Sequence, residues 1–229
     1  MDTIRSEIRT PAFDRYSTTA SLAHATQQAH ARNYQDFLIV DVDSHHYENE
    51  SYKEVFQYID SPVIRREALV HIERGGRASM MNSQVGYQDG GGRITRASLR
   101  KLEKTPPDAH RDVHMTKSWM DAMGVDYACL FPTPMLFLGL HPQPEMEMAL
   151  CQAYNRWLCE RILGVEPRLI SMLYLPFNDP DGAYRTVKEF GDRKGVVGFM
   201  VTSPRRTTSY LRSFSLRSPA HSPVLMSYS

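Results

Sequence analysis

The chain has few cysteines, no marked charge of either sign and no long apolar run. Its three cysteines are odd in number and form no Cys-x-x-Cys pair, which predicts free thiols in a reducing compartment. The net charge of +1 over 229 residues gives no sign of binding to nucleic acid or to an anionic membrane. No apolar run approaches the ~20 residues that a membrane span requires, and the amino terminus lacks the apolar core of a secretory signal. We therefore expect a cytoplasmic protein that binds neither nucleic acid nor a membrane.

Motifs of nucleophilic and phosphate-binding enzymes are missing as well. The chain has no Gly-x-Ser-x-Gly elbow, and no cysteine lies in a recognisable nucleophile setting. The glycine triplet at 90–92 lacks the Lys-Ser/Thr of a phosphate loop. It belongs to a stretch, 75–93, that is rich in Gly, Asn, Ser and Gln and that predicts a long loop of the kind that often covers a site.

The stretch 37–48, FLIVDVDSHHYE, carries the strongest chemical signal in the chain. An apolar, β-branched strand leads into two aspartates, two histidines and a glutamate. Because strand residues alternate faces, we expect Asp41, Asp43 and His45 to point to one side. Two carboxylates and an imidazole are costly to bury unpaired, and a divalent metal would satisfy them together. The alternative is that polar residues gather there only because a loop begins.

The first 70 residues predict three segments. Residues 1–35 are polar and poorly periodic and predict a flexible leader, in which 20–32 can form a short helix with a mostly alanine face. The strand follows at 37–43. An apolar stripe of Tyr52, Val55, Phe56 and Ile59 then predicts helix over 47–70.

A regular alternation follows from residue 114 onward. It consists of a helix at 114–123 stopped by Gly124, a strand at 125–131, a helix at 145–163, a strand at 169–175, a helix at 181–190 with Asp179 or Asp181 as N-cap, and a strand at 195–201. Strands that alternate with helices over short connections predict an α/β fold with a parallel sheet, and the apolar strands predict helices on both faces.

The character of the chain changes after residue 202. Residues 203–229 are dominated by Ser, Arg and Pro and contain no Asp, Glu, Lys or Gly, which predicts a disordered tail. A natural linker or tail can look like this, and so can the product of a shifted reading frame. We favour the frame shift because a strand inside a parallel sheet should lead into a helix, and none follows.

Several phrases, in this order, resemble the amidohydrolase-related family, in the branch that includes metal-dependent decarboxylases of aromatic and muconate-type acids. They are DVDSHHYE at 41–48, MGVD at 123–126, LFPT at 130–133, AYNRW at 153–157 and LYLPFNDP at 173–180. The resemblance implies a (β/α)8 TIM-type barrel with its site at the carboxyl ends of the strands. Since it stops at about residue 201, we expect residues 36–202 to form the amino-terminal half of such a barrel, about four βα units with a long insertion after the first strand.

The resemblance also implies a metal site. The family takes two ligands from the first strand, one residue apart, and Asp43 and His45 occupy that place; Glu48 matches an acidic position of the Asp-x-His branch. Carboxylate and imidazole suit zinc or manganese. A further histidine and the aspartate that serves as general base are implied beyond the fourth strand, where they cannot be placed, and His221 in the tail is not a credible substitute.

Other polar residues are candidates for lesser roles. His141 follows the second strand in a loop that would face the site, where it could contact substrate or lie exposed in solvent. Thr133 could donate to a bound carboxylate, although capping the next turn is the simpler role. His46 is expected on the opposite face from His45, as a packing residue. The i, i+4 pair of His110 and His114 lacks a third ligand.

We therefore expect a metal-dependent hydrolase or non-oxidative decarboxylase of a small carboxylated or cyclic substrate. The chain as given should be inactive, because two or three ligands from one segment cannot enclose a metal. The alternative is a non-catalytic fragment that acts through association, including with its own copies, because an open half-barrel exposes two sheet edges.

Overall fold

The computed structural model describes residues 18–46, 48–73, 105–141, 143–176 and 178–201. The start of the predicted leader, the predicted loop at 75–93, the predicted tail and His221 lie outside these ranges. Contacts divide the chain into two compact units, one with residues up to Asp41 and from 88 to 128, and one with residues 42–87 and from 129 onward.

Ten helices and strands make up the regular structure of the described ranges. They are α1 (Thr18–Ala31), β1 (Val40–His46), α2 (Tyr52–Val55), α3 (Pro62–Glu73), α4 (Arg111–Met123), β2 (Tyr127–Pro132), α5 (Pro144–Leu158), β3 (Leu169–Tyr174), α6 (Pro180–Phe190) and β4 (Val196–Met200). Short 3-10 turns lie at Tyr34–Asp36, Glu48–Ser51, Phe56–Tyr58 and Pro134–Leu140, and a π turn at Cys159–Leu163 prolongs α5.

The first unit is built on the packing of α1 against α4. Helix α1 belongs to the segment that the sequence predicts as a flexible leader. Helix α4 ends at Gly124, whose φ of 70° is left-handed and whose amide donates to the carbonyl of Met120. A Cβ there would lie 3.1 Å from Cβ of Tyr34, so glycine serves both the turn and the close approach. The predicted helix stop is thus confirmed.

The first strand lies further along the chain than the sequence predicts. It runs from Val40 to His46 instead of 37–43, so His45 and His46 are part of the strand rather than of the loop after it. Val42 is 71% exposed, and Phe37 and Leu38 are exposed as well. The apolar residues 37–39 are therefore not part of the strand, because pairing with a neighbour, rather than apolar sequence, sets the limits of a strand. The exposure of Val42 also shows that the first strand is not buried.

The single helix predicted over 47–70 is also wrong. The chain makes a 3-10 turn, the short α2 and a second 3-10 turn, and it then becomes extended at Ile59 with φ −74° and ψ 116°. Helix α3 begins afresh at Pro62. A proline disfavours helical backbone in the residue before it and suits the first position of a helix, so Pro62 separates the two segments.

The alternation of strands and helices beyond α4 is confirmed. The strands lie in the order β1-β2-β3-β4, with helices in the connections, and β3 pairs with β4 in parallel. At the start of α6, the Asp179 carboxylate accepts a hydrogen bond of 2.9 Å from the amide of Gly182, which confirms Asp179 as the N-cap. The fold is α/β with a four-stranded parallel sheet in chain order, the arrangement expected of successive βα units of a TIM-type barrel.

Burial is uneven across this sheet. A group of side chains that are at most 1% exposed lies on α5, its π turn and β3: Leu150, Tyr154, Trp157, Leu158, Ile162, Leu173 and Tyr174. The outer strands are different, since Val42 on β1 and Val197 on β4 are 71% and 57% exposed. Within the described ranges, the expectation of helices over both faces is wrong for these outer strands.

Candidate functional site

The carboxyl ends of the first two strands bring polar side chains together. His45 is the last but one residue of β1, and Thr133 directly follows β2. Oγ1 of Thr133 lies 3.3 Å from Nδ1 of His45. The ring of His45 also lies 6.0 Å, between centroids, from that of Phe131. The strand order therefore joins residues that are 88 positions apart in the sequence.

Asp43 and His45 form the pair that the sequence predicts. Because they are two residues apart on one strand, their side chains share a face, and Nε2 of His45 lies 3.1 Å from Oδ1 of Asp43. The His45 side chain is 23% exposed and that of Asp43 is 80% exposed. Asp41, on the same strand, is half-buried. The pair is thus open to solvent on its aspartate side.

Glu48 is turned away from this pair and into the protein. Its side chain is fully buried, and its two oxygens accept hydrogen bonds of 3.0 Å from the amide of Thr133 and 2.6 Å from the amide of Met135. Burial raises the pKa of Glu48 from 4.5 to about 7, against the opposing effects of His46 and of the amide donors. The sequence predicts Glu48 as a metal ligand. In the structure its oxygens instead accept hydrogen bonds from the backbone amides that follow β2.

His46 faces the core, as its place in the alternation predicts. Its Nε2 lies 2.7 Å from the hydroxyl of Tyr154, and its ring stacks on that of Trp157 at 6.0 Å and an interplanar angle of 11°. The aromatic residues lie one helical turn apart on α5. His46 therefore belongs to the packing of β1 against α5.

The loop after β2 holds the other two predicted residues. Thr133 occupies the N-cap position of the 3-10 turn Pro134–Leu140, but its side chain makes no capping hydrogen bond, so the simpler of its two predicted roles is wrong. His141 makes a local turn in which the amide of Gln143 donates to its Nδ1 at 3.1 Å. A role for His141 in substrate binding stays a prediction.

Two further polar residues, His110 and Asn155, have structural roles. His110 precedes α4, and its Nδ1 accepts a hydrogen bond of 3.2 Å from the amide of Asp112, so it caps that helix. Asn155 binds the backbone of Tyr174 twice, donating to its carbonyl at 2.9 Å and accepting from its amide at 3.2 Å. It fixes the carboxyl end of β3 on α5.

Sequence reasoning missed the buried carboxylate of Glu147. Glu147 on α5 is 2% exposed and accepts a hydrogen bond of 2.9 Å from the side-chain amide of Asn178 and one of 3.4 Å from the hydroxyl of Tyr174. The same Asn178 amide donates to the carbonyl of Gly139 at 2.7 Å. Glu147 lies in register with Leu150 and Tyr154 on the buried face of α5, and that periodicity is the signal that could have found it.

The described residues fit a metal only in part. A cation about 2.0–2.2 Å from each of two donors can be shared by atoms about 3 Å apart, as Nε2 of His45 and Oδ1 of Asp43 are. In the described part of the chain, however, no three His, Cys, Asp or Glu side chains form a group that could hold a metal. The predicted trio is therefore wrong as a set: Asp43 and His45 can supply two ligands, and Glu48 is committed to backbone amides.

Comparison with known proteins finds a distant likeness. The chain is similar to a crystal structure of 2,6-dihydroxybenzoate decarboxylase complexed with 2,6-dihydroxybenzoate, at 16% sequence identity and a TM-score of 0.41. The match covers 74% of this chain and 39% of that one, so the chain spans well under half the length of the solved protein. No family model and no curated protein match the chain. No helix of the described ranges is long and apolar enough to cross a membrane.

Proposed function

We propose that the chain carries the first-strand part of a metal-dependent hydrolase or carboxy-lyase site for a small carboxylated or cyclic substrate. The observation that supports this is the pair of Asp43 and His45, with donor atoms 3.1 Å apart at the carboxyl end of β1. In a barrel built of βα units, that end of the sheet carries the chemistry. The sequence resemblance to the amidohydrolase-related family agrees with this position.

Each residue of the site has a separate task in this proposal. Asp43 and His45 are two ligands, and Thr133 holds the ring nitrogen of His45 that faces away from Asp43. A zinc or manganese ion held there would supply Lewis acidity toward a carboxylate or carbonyl oxygen of the substrate. The half-buried His141, in the loop after β2, is the proposed contact for the polar end of the substrate.

Titration with zinc and with manganese, followed by calorimetry on the whole chain, tests the metal. We expect binding of about one ion per chain, weaker than at a closed four-ligand site because two donors cannot enclose a cation. The variants His45→Ala and Asp43→Asn should abolish this binding. His24→Ala, which removes an exposed histidine of α1, is the matched control and should leave it unchanged. Equal binding by wild type and His45→Ala would contradict the proposal.

We further propose that this chain alone does not turn over substrate, because two ligands from one strand cannot enclose a metal. Assays with small aromatic and muconate-type acids, beginning with 2,6-dihydroxybenzoate and with either metal added, should show no product. Turnover by the wild type that disappears in Asp43→Ala would overturn the inactivity and would support the metal site.

The exposed outer strands favour a second candidate function, self-association of this chain through its sheet edges. Val42 and Val197 lie on the two end strands and are 71% and 57% exposed. Sedimentation over a range of concentrations should then show oligomers without added metal, and Val197→Lys should shift the equilibrium toward monomer. A chain that stays monomeric throughout would exclude this function.

A further inference from the structure

The sheet of the described residues has two open edges. Its strands lie in the order β1-β2-β3-β4, so β1 and β4 each have a neighbouring strand on one side only. Val42 on β1 and Val197 on β4 are 71% and 57% exposed. An edge strand presents a row of backbone N–H and C=O groups on its open side, and closure of a sheet into a barrel removes both edges at once. Each end strand can therefore pair with a further strand.

Asp43 and His45 lie on the face of the sheet that is turned away from α5. Their neighbour His46 packs on Tyr154 and Trp157 of that helix. Because side chains alternate along β1, Asp43 and His45 point to the other side, which is the interior when such a sheet closes into a barrel with its helices outside. Two donors 3.1 Å apart leave most of the coordination shell of a cation unfilled. The ligands that are still needed can come from the opposite wall of the barrel.

Charge distinguishes the two edges of the sheet. Strand β1 carries Asp41 and Asp43, whereas Arg193 and Lys194 are exposed just before β4. Asp192 beside them offsets one of these two cations, so a positive excess remains. In a parallel pair the start of one strand lies beside the start of the other, and β1 of one copy next to β4 of another brings opposite charges together. Two β1 strands in an antiparallel pair would instead place carboxylates opposite each other, which is destabilising.

We propose that two copies of this chain close one eight-stranded barrel, in which β1 of each copy pairs in parallel with β4 of the other. A two-fold axis then relates the copies, makes the two junctions identical and leaves no edge strand. Both pairs of Asp43 and His45 lie inside, at the same end. The interior of an eight-stranded barrel is just wide enough for side chains to fill it, so a bound ion gains donors from the second copy. The use of these donors for zinc or manganese rests on the proposed function, whereas the pairing of the strands does not.

Sedimentation equilibrium of the whole chain, with and without zinc, tests the link between assembly and metal. The wild type should dimerise without metal. Saturating zinc should lower its dimer dissociation constant at least about tenfold, because the dimer offers more donors than the single chain does. His45→Ala should dimerise like the metal-free wild type and should not respond to zinc. His24→Ala, at an exposed position of α1, is the matched control and should respond as the wild type does.

A cross-linking experiment tests which strands meet. Val42→Cys and Val197→Cys each add one exposed thiol to a chain whose own three cysteines are buried. The two variants, one of them with a mass tag, are mixed, left to exchange chains and treated with a short bis-maleimide. Pairing of β1 with β4 should link the two variants to each other. Pairing of β1 with β1, or of β4 with β4, would link each variant only to itself.

The outcomes separate the barrel from the metal site. Links confined to identical variants, or a chain that stays monomeric at every concentration, would overturn the proposal. Links between the two variants in dimers that do not respond to zinc would reject the proposed function and retain the closed barrel. Zinc binding whose affinity is the same for dilute and for concentrated chain would retain the proposed function and overturn the shared site.

Discussion

Strands β1 and β3 show two ways of using a strand in the same sheet. Most residues of β3 are buried. Its carboxyl end is held by the side chain of Asn155, which donates to the carbonyl of Tyr174 and accepts from its amide. Strand β1 instead exposes Val42 and Asp43, and its two histidines point to opposite faces. The inner strand has its polar groups paired inside the fold, whereas the outer strand presents Asp43 to solvent. Stability and candidate chemistry are thus carried by different strands.

The largest expected effect is on the core under β1. Trp157→Ala should lower the free energy of unfolding by about 3–5 kcal/mol, because it removes a fully buried side chain that stacks on His46. Urea denaturation measures this. The control Tyr184→Ala, at a position on α6 that is 65% exposed, should change the free energy by less than about 0.5 kcal/mol. Comparable losses in the two variants would contradict the division between core and surface.

The next effect concerns the pH dependence of stability. Because burial raises the pKa of Glu48 from 4.5 to about 7, the folded state binds this proton more tightly than the unfolded state does. The resulting stabilisation is complete below pH 4.5, declines as the pH rises to about 7 and amounts to about 3 kcal/mol. Between pH 4.5 and about 7, the unfolding free energy of the wild type should therefore fall by that amount relative to that of Glu48→Gln. A constant difference would show that the carboxylate titrates alike in both states.

A smaller loss is expected at the end of β3. Asn155→Leu should cost about 1–3 kcal/mol, because the amide of Tyr174 would lose this buried side-chain acceptor, and its carbonyl would lose the amide donor and keep the weak donor Sγ of Cys151. Thermal denaturation checks this against Glu160→Gln, an exposed change on the adjoining π turn that should be neutral. Equal denaturation midpoints for the two variants would show that Asn155 does not stabilise the carboxyl end of β3.

The smallest effect is predicted at Asp43. Asp43→Asn should change the free energy of unfolding by less than about 1 kcal/mol, because the side chain is 80% exposed and exposed ion pairs contribute little. The same variant is expected to lose metal binding entirely. Chemical denaturation beside metal titration separates the two properties. A large loss of stability would mean that Asp43 belongs to the structural framework rather than to the candidate site.

Local signals were sufficient for much of the fold. Gly124 marks the end of α4, and Asp179 caps α6, since both act within one helical turn. Where pairing or packing decides, the sequence was less informative: β1 lies three residues beyond its predicted start. The break before α3 was readable in the sequence, because Pro62 disfavours a continuous helix, but the prediction of helix over 47–70 relied on the apolar stripe that ends at Ile59.

The candidate site was predictable only where its members share a strand. Asp43 and His45 meet because alternation on β1 requires it. Glu48 follows three residues later and yet binds amides beyond β2, a contact that depends on the order of the strands. Glu147 lies in the apolar periodicity of α5, which could have marked it as buried, but a glutamate in an amphipathic helix ordinarily faces water. Burial of a single carboxylate is a tertiary property.

The side-chain amide of Asn178 has a mechanical consequence. It donates hydrogen bonds to the carbonyl of Gly139 and to the carboxylate of Glu147, and so links the connection that follows β2 to the one that follows β3. A shift of either connection must drag the other. Lengthening or reshaping one connection alone would break these hydrogen bonds, so variants of this fold should change the two connections together.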